Sequence, residues 1–232
     1  MRIIFCLPGR NFSGRFLSSW TMLMNECPHK GIDIILSQRY NSNVYYVRAQ
    51  CLGANVLNGA NQKPFNGKVD YDYIMWIDSD QVFLPDQFFR LLSHQKDIVG
   101  GLYLMDGGRQ FAAVKEWNIE YFKKNACFEF LEPPSLPPDG SLVEVIYSGF
   151  GFLLIKKGVF ETIKYPWFEP QHMQLTETIV DFASEDVSFC LKARQAGYKI
   201  YVDPRVVVGH EKSHVLQIPS TTPEQLATGK ID

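Results

Sequence analysis

Tyr71-Asp72-Tyr73-Ile74-Met75-Trp76-Ile77-Asp78-Ser79-Asp80 is an apolar run that ends in two carboxylates separated by one residue. The run reads as a buried strand. In extended chain alternate side chains share a face, so Asp78 and Asp80 are expected to point the same way while Ser79 points elsewhere. Open α/β sheets bind ligands in the crevice beyond the carboxyl ends of their strands. Two carboxylates crowded there repel each other, and a divalent cation relieves that repulsion. Hard oxygen ligands suit Mg²⁺ or Mn²⁺, ions that commonly hold phosphates. The plainer reading of the triplet is a strand end or the start of a turn, where Asp is frequent.

Working outward, short apolar or β-branched runs at residues 3–7, 32–36, 73–77 and 98–104 alternate with helical spacing. The alternation predicts an α/β fold with a mixed, mostly parallel central sheet flanked by helices. One helix carries Phe16, Trp20 and Leu23 on a single stripe, and a second carries Val44, Val47, Cys51 and Ala54. A third opens on Pro85 and runs through Phe88, Leu91 and Leu92. Residues 133–140, rich in proline, read as an exposed loop between sheet elements. Ser184 caps a helix opened by Glu185-Asp186 and closed near Gly197, with strands expected at 198–202 and 206–208. Residues 1–214 are read as one domain. The polar stretch 215–232 is read as a tail or a linker, the pattern of a chain that continues into a further domain.

Bulk properties narrow the function classes. The chain has 232 residues, 46% hydrophobic and 21% charged, a composition that supports a folded core rather than disorder. A formal net charge of -2 and the lack of a basic run disfavour nucleic acid as a partner. The five cysteines (Cys6, Cys27, Cys51, Cys127, Cys190) are odd in number and widely spaced, which favours a reducing, cytoplasmic compartment. No stretch approaches the ~20 apolar residues that span a bilayer.

Several motifs follow the central strand in a fixed order. They are Val99-Gly100-Gly101-Leu102-Tyr103, Tyr147-Ser148-Gly149-Phe150-Gly151, Ser184-Glu185-Asp186 and Val208-Gly209-His210. Before it stand Cys6-Leu7-Pro8-Gly9-Arg10 and Val47-Arg48-Ala49-Gln50. With Asp78-Ser79-Asp80 as a DxD signature, the set resembles the GT-A glycosyltransferases, particularly the family-2-like group and small virus-encoded members. The resemblance runs from Met1 to about His214.

That resemblance implies a UDP-sugar donor, a glycan or glycoprotein acceptor, and Mn²⁺ or Mg²⁺ on the diphosphate. Pro8, Gly9 and Arg10, with Ser37 and Arg39, would wall the nucleotide base, and Arg48 would reach the donor ribose or diphosphate. Asp78, with Ser79 beside it, would contact ribose or metal, and Asp80 the metal directly. His210 would be a further ligand, with His214 as the competing candidate. Ser148 and Gly149, and with less force Gly100 and Gly101, would pass beneath the donor sugar. Each has a plainer reading as well: a solvated arginine, a structural histidine, a glycine bulge in a buried strand. Glu185 and Asp186 match the family's acidic pair, whose second member is the usual base in inverting enzymes. Acidic residues also favour a first helical turn for electrostatic reasons alone.

Two other classes fit parts of the pattern. Residues 78–82 also resemble the nucleophile motif of haloacid-dehalogenase-type phosphatases, although in that family the motif ends the first core strand. A sugar-nucleotide or glycan-binding module without turnover is the non-enzymatic alternative.

Overall fold

The computed structural model describes residues 1–213. His214 and the expected tail at 215–232 lie outside the described residues. Every residue from Tyr73 to Ile77 is buried; Tyr73, Met75 and Ile77 join one core cluster, while Ile74 and Trp76 join another. A strand apolar on both faces needs cover on both sides, and the rest of the chain supplies it.

In chain order the elements are β1 (Arg2–Pro8), α1 (Gly14–His29), β2 (Asp33–Arg39), α2 (Val44–Cys51), β3 (Tyr73–Ile77), β4 (Gln81–Val82), α3 (Pro85–Ser93), β5 (Ile98–Leu102), β6 (Ala113–Val114) and α4 (Ile119–Asn125). There follow β7 (Val143–Val145), β8 (Tyr147–Ser148), β9 (Phe152–Lys156), α5 (Val159–Thr162), β10 (Gln171–Gln174), β11 (Val180–Ala183), α6 (Glu185–Gln195), β12 (Ile200–Val207) and β13 (Gly209–His210). A seven-stranded sheet has the order β2-β1-β3-β9-β5-β12-β7. β2, β1, β3, β5 and β12 run one way, and β9 and β7 run against them. This is the mixed, mostly parallel sheet the alternating pattern predicts. On one face lie Phe16 and Leu23 of α1 with Phe88 and Leu91 of α3. Cys51 of α2, Phe160 of α5 and Phe189 of α6 cover the other.

Local chemistry explains where the helices begin. The Ser13 hydroxyl accepts the Phe16 amide at 3.1 Å and so starts α1. Pro85 occupies the first turn of α3, where a missing N–H costs nothing, and the Gln87 side chain accepts the Leu84 amide at 2.8 Å. Residues 133–140 form the expected exposed loop, with one short turn at Pro133–Ser135. No helix among the described residues is long and apolar enough to cross a membrane.

The two strands expected at 198–202 and 206–208 are one, β12, with an irregular register between Asp203 and Val207. Pro204 has no amide to give the ladder, and the Asp203 carboxylate folds back to accept the Arg205 amide at 2.8 Å. Fully buried, Asp203 also accepts from Arg90 Nε at 2.6 Å and lies 2.7 Å from His94 Nε2, tying β12 to α3. Burial pushes its carboxyl upward, but the contacts from His94, the Arg205 amide and Arg90 outweigh this and hold it below the usual range.

Asp203→Ala is therefore expected to lower unfolding stability in urea at neutral pH by ~2 kcal/mol, since it removes the buried carboxylate to which partly exposed Arg90 and the Arg205 amide donate. The lowered pKa fixes the sign of the pH dependence. The contribution is complete above pH ~4 and fades as carboxyls protonate, so wild type and variant should converge in acid.

Candidate active site

The chain does not stay extended beyond β3. The Asp78 amide donates to the Gly151 carbonyl at 3.0 Å, and the Asp78 carbonyl accepts the Gln81 amide at 3.1 Å, closing a turn over Ser79 and Asp80. The expectation that Asp78 and Asp80 share a face fails for this reason. Asp78 keeps the parity of Ile74 and Trp76 and faces α2, whereas the turn swings Asp80 toward β13. The two carboxylates thus enter separate networks.

Asp78 belongs to Arg48. Nη1 and Nη2 donate to its two oxygens at 2.6 and 3.0 Å, and Nε donates to Glu185 at 3.3 Å. Arg48 is only 4% exposed, with its guanidinium carbon 5.1 Å from the Phe150 ring centroid and 5.6 Å from that of Trp76. Burial opposes its charge, but Asp78 and then Glu185 and Asp186 more than compensate and raise its pKa. Arg48 is thus an internal strut joining α2, the end of β3 and the start of α6. The sequence reading had it reaching the donor; the structure places it inside, against Asp78 and Glu185.

The acidic pair divides in the same way. Glu185 is buried, and burial with the neighbouring Asp186 charge raises its pKa against the pull of Arg48. Asp186 is half-buried. Its Oδ2 accepts from the Tyr147 hydroxyl at 2.8 Å, while Oδ1 accepts the Val187 amide at 2.8 Å and also meets the Ser184 hydroxyl. Tyr147 is held neutral, as burial and the Asp186 charge drive its pKa well up, so it is the donor in that contact.

Asp80 belongs to the C-terminal strand. β13 pairs with β4, setting His210 opposite Gln81, and the Glu211 amide donates to the Asp80 carbonyl at 2.7 Å. His210 Nε2 and Lys212 Nζ each lie 3.1 Å from Asp80 Oδ2. His210 Nδ1 lies 2.6 Å from the Leu104 carbonyl, which can only accept, so Nδ1 carries the proton. A neutral ring then turns a lone pair on Nε2 toward a carboxylate. That arrangement needs either a second proton or a cation between the two groups. In the structure as it stands, the contact with Asp80 raises the His210 pKa. Burial works against ionised Asp80, but His210 and Lys212 prevail and lower its pKa to about 2. Among the described residues no three His, Cys, Asp or Glu side chains gather closely enough to hold a metal by themselves. Asp80 and His210 face an open cleft of about 840 Å³ that Asn11, Arg15, Ser79 and Glu211 also line, with the Glu211 carboxylate bonded to the Ser13 hydroxyl.

The remaining expected donor residues divide between cleft and core. Pro8 is buried, while Gly9 and Arg10 carry the turn beside the cleft, with Arg10 5.6 Å from the Tyr40 ring. A Cβ on Gly9 would stand 2.6 Å from that of Ser79, and its φ of +155° favours glycine, so this turn packs directly on Asp78-Ser79-Asp80. Arg39 is exposed, and its carbonyl accepts the Gly9 amide at 3.0 Å. Ser37 is buried, with its hydroxyl donated to the Cys51 carbonyl at 2.7 Å. Gly100, Gly101, Ser148 and Gly149 are buried as well. A Cβ on Gly149 would lie 2.0 Å from the Tyr103 hydroxyl, so the room that glycine provides is taken up by Tyr103. Sequence reasoning missed Lys212 and the role of Tyr147. Lys212 stands two residues past His210, and a cation so close to an expected metal ligand was the available signal.

No protein-family model matches the chain, and no match is found among curated proteins. Solved structures do match in shape. The viral protein A197 from STIV superposes with a TM-score of 0.54 at 18% identity, covering 96% of this chain and 100% of that one. GalNAc-T7, solved with UDP, GalNAc and Mn²⁺, superposes with a TM-score of 0.55 at 11% identity, over 90% of this chain and 43% of that one. The chain therefore has the fold of the GT-A glycosyltransferases while spanning under half the length of GalNAc-T7.

Arg48→Met would leave buried Glu185 and half-buried Asp78 beside an apolar group. A loss of ~3–5 kcal/mol in unfolding free energy is expected from urea titration. Arg48→Lys should recover only part of this, because a single ammonium cannot reproduce the two-pronged contact with Asp78.

Proposed function

We propose that the protein is a metal-dependent glycosyltransferase, family-2-like, that moves a hexose or deoxyhexose from a UDP-sugar to a hydroxyl of a glycan or glycoprotein. The observation that carries this reading is the Asp80–His210 pair, with its imidazole proton committed to Leu104 and its free nitrogen turned to a carboxylate. One carboxylate and one imidazole suit Mn²⁺ ahead of Mg²⁺. An ion with so few protein ligands keeps positions for diphosphate oxygens. The shared fold with GalNAc-T7, whose structure contains UDP and Mn²⁺, supports the same reading.

Asp80 and His210 would hold the ion, which when bound neutralises charge building on the departing diphosphate. Lys212, now on Asp80, adds a second positive charge at the same corner. Asp78 enters as the anchor of the turn and not as a ligand, because Arg48 takes both its oxygens. Gly9, Arg10 and Arg39 flank the cleft where the nucleotide would lie. Asp186 is the proposed base. Its Oδ1 is fixed by backbone and Ser184, so Oδ2, beside the Tyr147 hydroxyl, receives the acceptor proton. The acceptor oxygen then bonds to the anomeric carbon as the bond from that carbon to the diphosphate oxygen breaks and UDP leaves. In an enzyme that retained configuration, the acidic pair would instead position the acceptor or the donor sugar. The phosphatase alternative requires a free Asp78 oxygen to attack phosphorus, and the grip of Arg48 disfavours it.

Asp80→Ala is expected to abolish the Mn²⁺-dependent thermal stabilisation given by UDP-sugars and the slow release of UDP that accompanies it; full turnover in that variant would refute the role. Asp186→Asn should lower kcat by about 10²–10⁴-fold with donor KM nearly unchanged, read in a UDP-release assay with acceptor present.

A further inference from the structure

The two edges of the central sheet are finished differently. At one end β7 is three residues long, and its middle residue, Glu144, is an exposed carboxylate paired with Lys199 at 2.9 Å. Short strands and charge are the usual means of keeping a sheet edge from pairing with another chain. At the other end β2 is seven residues long, Asp33-Ile34-Ile35-Leu36-Ser37-Gln38-Arg39, with no proline, glycine or lysine and with charge only at its two ends. Its ladder to β1 uses alternate residues: the Asp33 amide donates to the Met1 carbonyl at 2.8 Å, and the Arg39 carbonyl accepts the Gly9 amide at 3.0 Å. Backbone groups of successive strand residues point to opposite edges, so the N–H and C=O of Ile34, Leu36 and Gln38 point away from the sheet. Leu36 is the midpoint of this edge and is 52% exposed. It stands opposite Phe5 of β1, on the face that α1 covers. Leu17 of α1, one turn before the Trp20 that meets the Phe5 ring edge-on, is exposed as well.

The sequence of this edge is complementary to itself. Antiparallel pairing about a two-fold axis at Leu36 sets Leu36 against Leu36 of a second copy, Ile34 against Gln38, Ile35 against Ser37, and Asp33 against Arg39. A carboxylate thus meets a guanidinium at each end of the pairing, once from each copy. The backbone phase agrees, because the residues whose amides and carbonyls point outward are the ones that oppose each other as hydrogen-bonded pairs in this register. A slip of one residue would set outward-pointing groups against inward-pointing ones, and a slip of two would lose both ion pairs. We infer that β2 is a self-pairing edge, at which two copies of this chain join their sheets into one. In the free chain both charged ends have other contacts: Arg2 Nε donates to Asp33 at 2.6 Å, and Arg39 Nη1 donates to the Gln38 carbonyl at 2.7 Å. These contacts lie at the surface and give way at little cost. Pairing releases the Gln38 carbonyl to accept the Ile34 amide of the second copy, and turns Arg39 to Asp33 of that copy. The inference stands apart from the transferase reading, since it uses the far edge of the sheet and none of the Asp80 or Asp186 contacts.

Sedimentation equilibrium of the full chain over a range of protein concentrations tests this, and a reversible monomer–dimer equilibrium is expected. Amide hydrogen exchange, read residue by residue, should slow at Ile34, Leu36 and Gln38 as concentration rises and stay unchanged at Ile35 and Ser37, whose amides already face β1. Leu36→Lys sets two ammonium groups against each other on the axis and should weaken dimerisation by about tenfold. Asp33→Arg opposes Arg39 with a like charge and should weaken it by a similar factor, whereas the double variant Asp33→Arg with Arg39→Asp should restore it. All three positions are exposed, so the far-ultraviolet circular dichroism of each variant should match that of the wild type. Three results overturn the inference: a wild-type chain that stays monomeric at every concentration, a dimer whose Ile34, Leu36 and Gln38 amides exchange as fast as in the monomer, or a folded double variant that dimerises no better than Asp33→Arg alone.

Discussion

The guanidinium of Arg48, buried between two carboxylates and two aromatic rings, is the contact on which the arrangement of the site depends. It joins three elements far apart in sequence: the helix that bears it, the central strand through Asp78, and the helix α6 through Glu185. A charge so deep is tolerated only because its partners are fixed, and fixing them orients everything around them. With Asp78 held, the following turn can send Asp80 to the opposite side. With Glu185 held, the first turn of α6 presents Asp186 toward Tyr147. One interior cation thereby spaces two chemically distinct corners, the Asp80–His210 pair and the Asp186–Tyr147 pair.

Much of the fold was legible in the sequence because its signals are local. The apolar run at residues 73–77 and the proline at position 85 each act within a few residues, and both appear as read. What escaped was long-range. Nothing near Asp203 in the sequence indicates that Arg90 and His94 will meet it, and without that cluster β12 reads as two strands. The same limit governed the site. The residue types were visible, as were the DxD triplet and the acidic pair. Their mutual geometry was not, because period-two reasoning holds only while the chain stays extended, and the turn at Asp78 breaks it. Arg48 sits on an amphipathic stripe with Val47 and Cys51, and a solvated helix residue was the natural alternative. Only a three-dimensional count of its partners reveals that it points inward.

The glycines illustrate a related ambiguity. A glycine that permits close approach is recognisable from sequence, but what approaches is not. At Gly9 the neighbour is Ser79, and at Gly149 it is Tyr103. Both serve the site indirectly, by letting one piece of protein lie against another.

The strand β9 runs against its neighbours at the middle of the sheet, so Tyr73 pairs with Lys156 and Ile98 with Ile155. During synthesis on the ribosome, β3 and β5 emerge long before the segment that will join them. Until it arrives, each has an open edge and uncovered apolar faces, a template for mispairing with other nascent chains. The order of emergence thus makes the interval before β9 appears an aggregation-prone stage, and closure of the central sheet must wait for it.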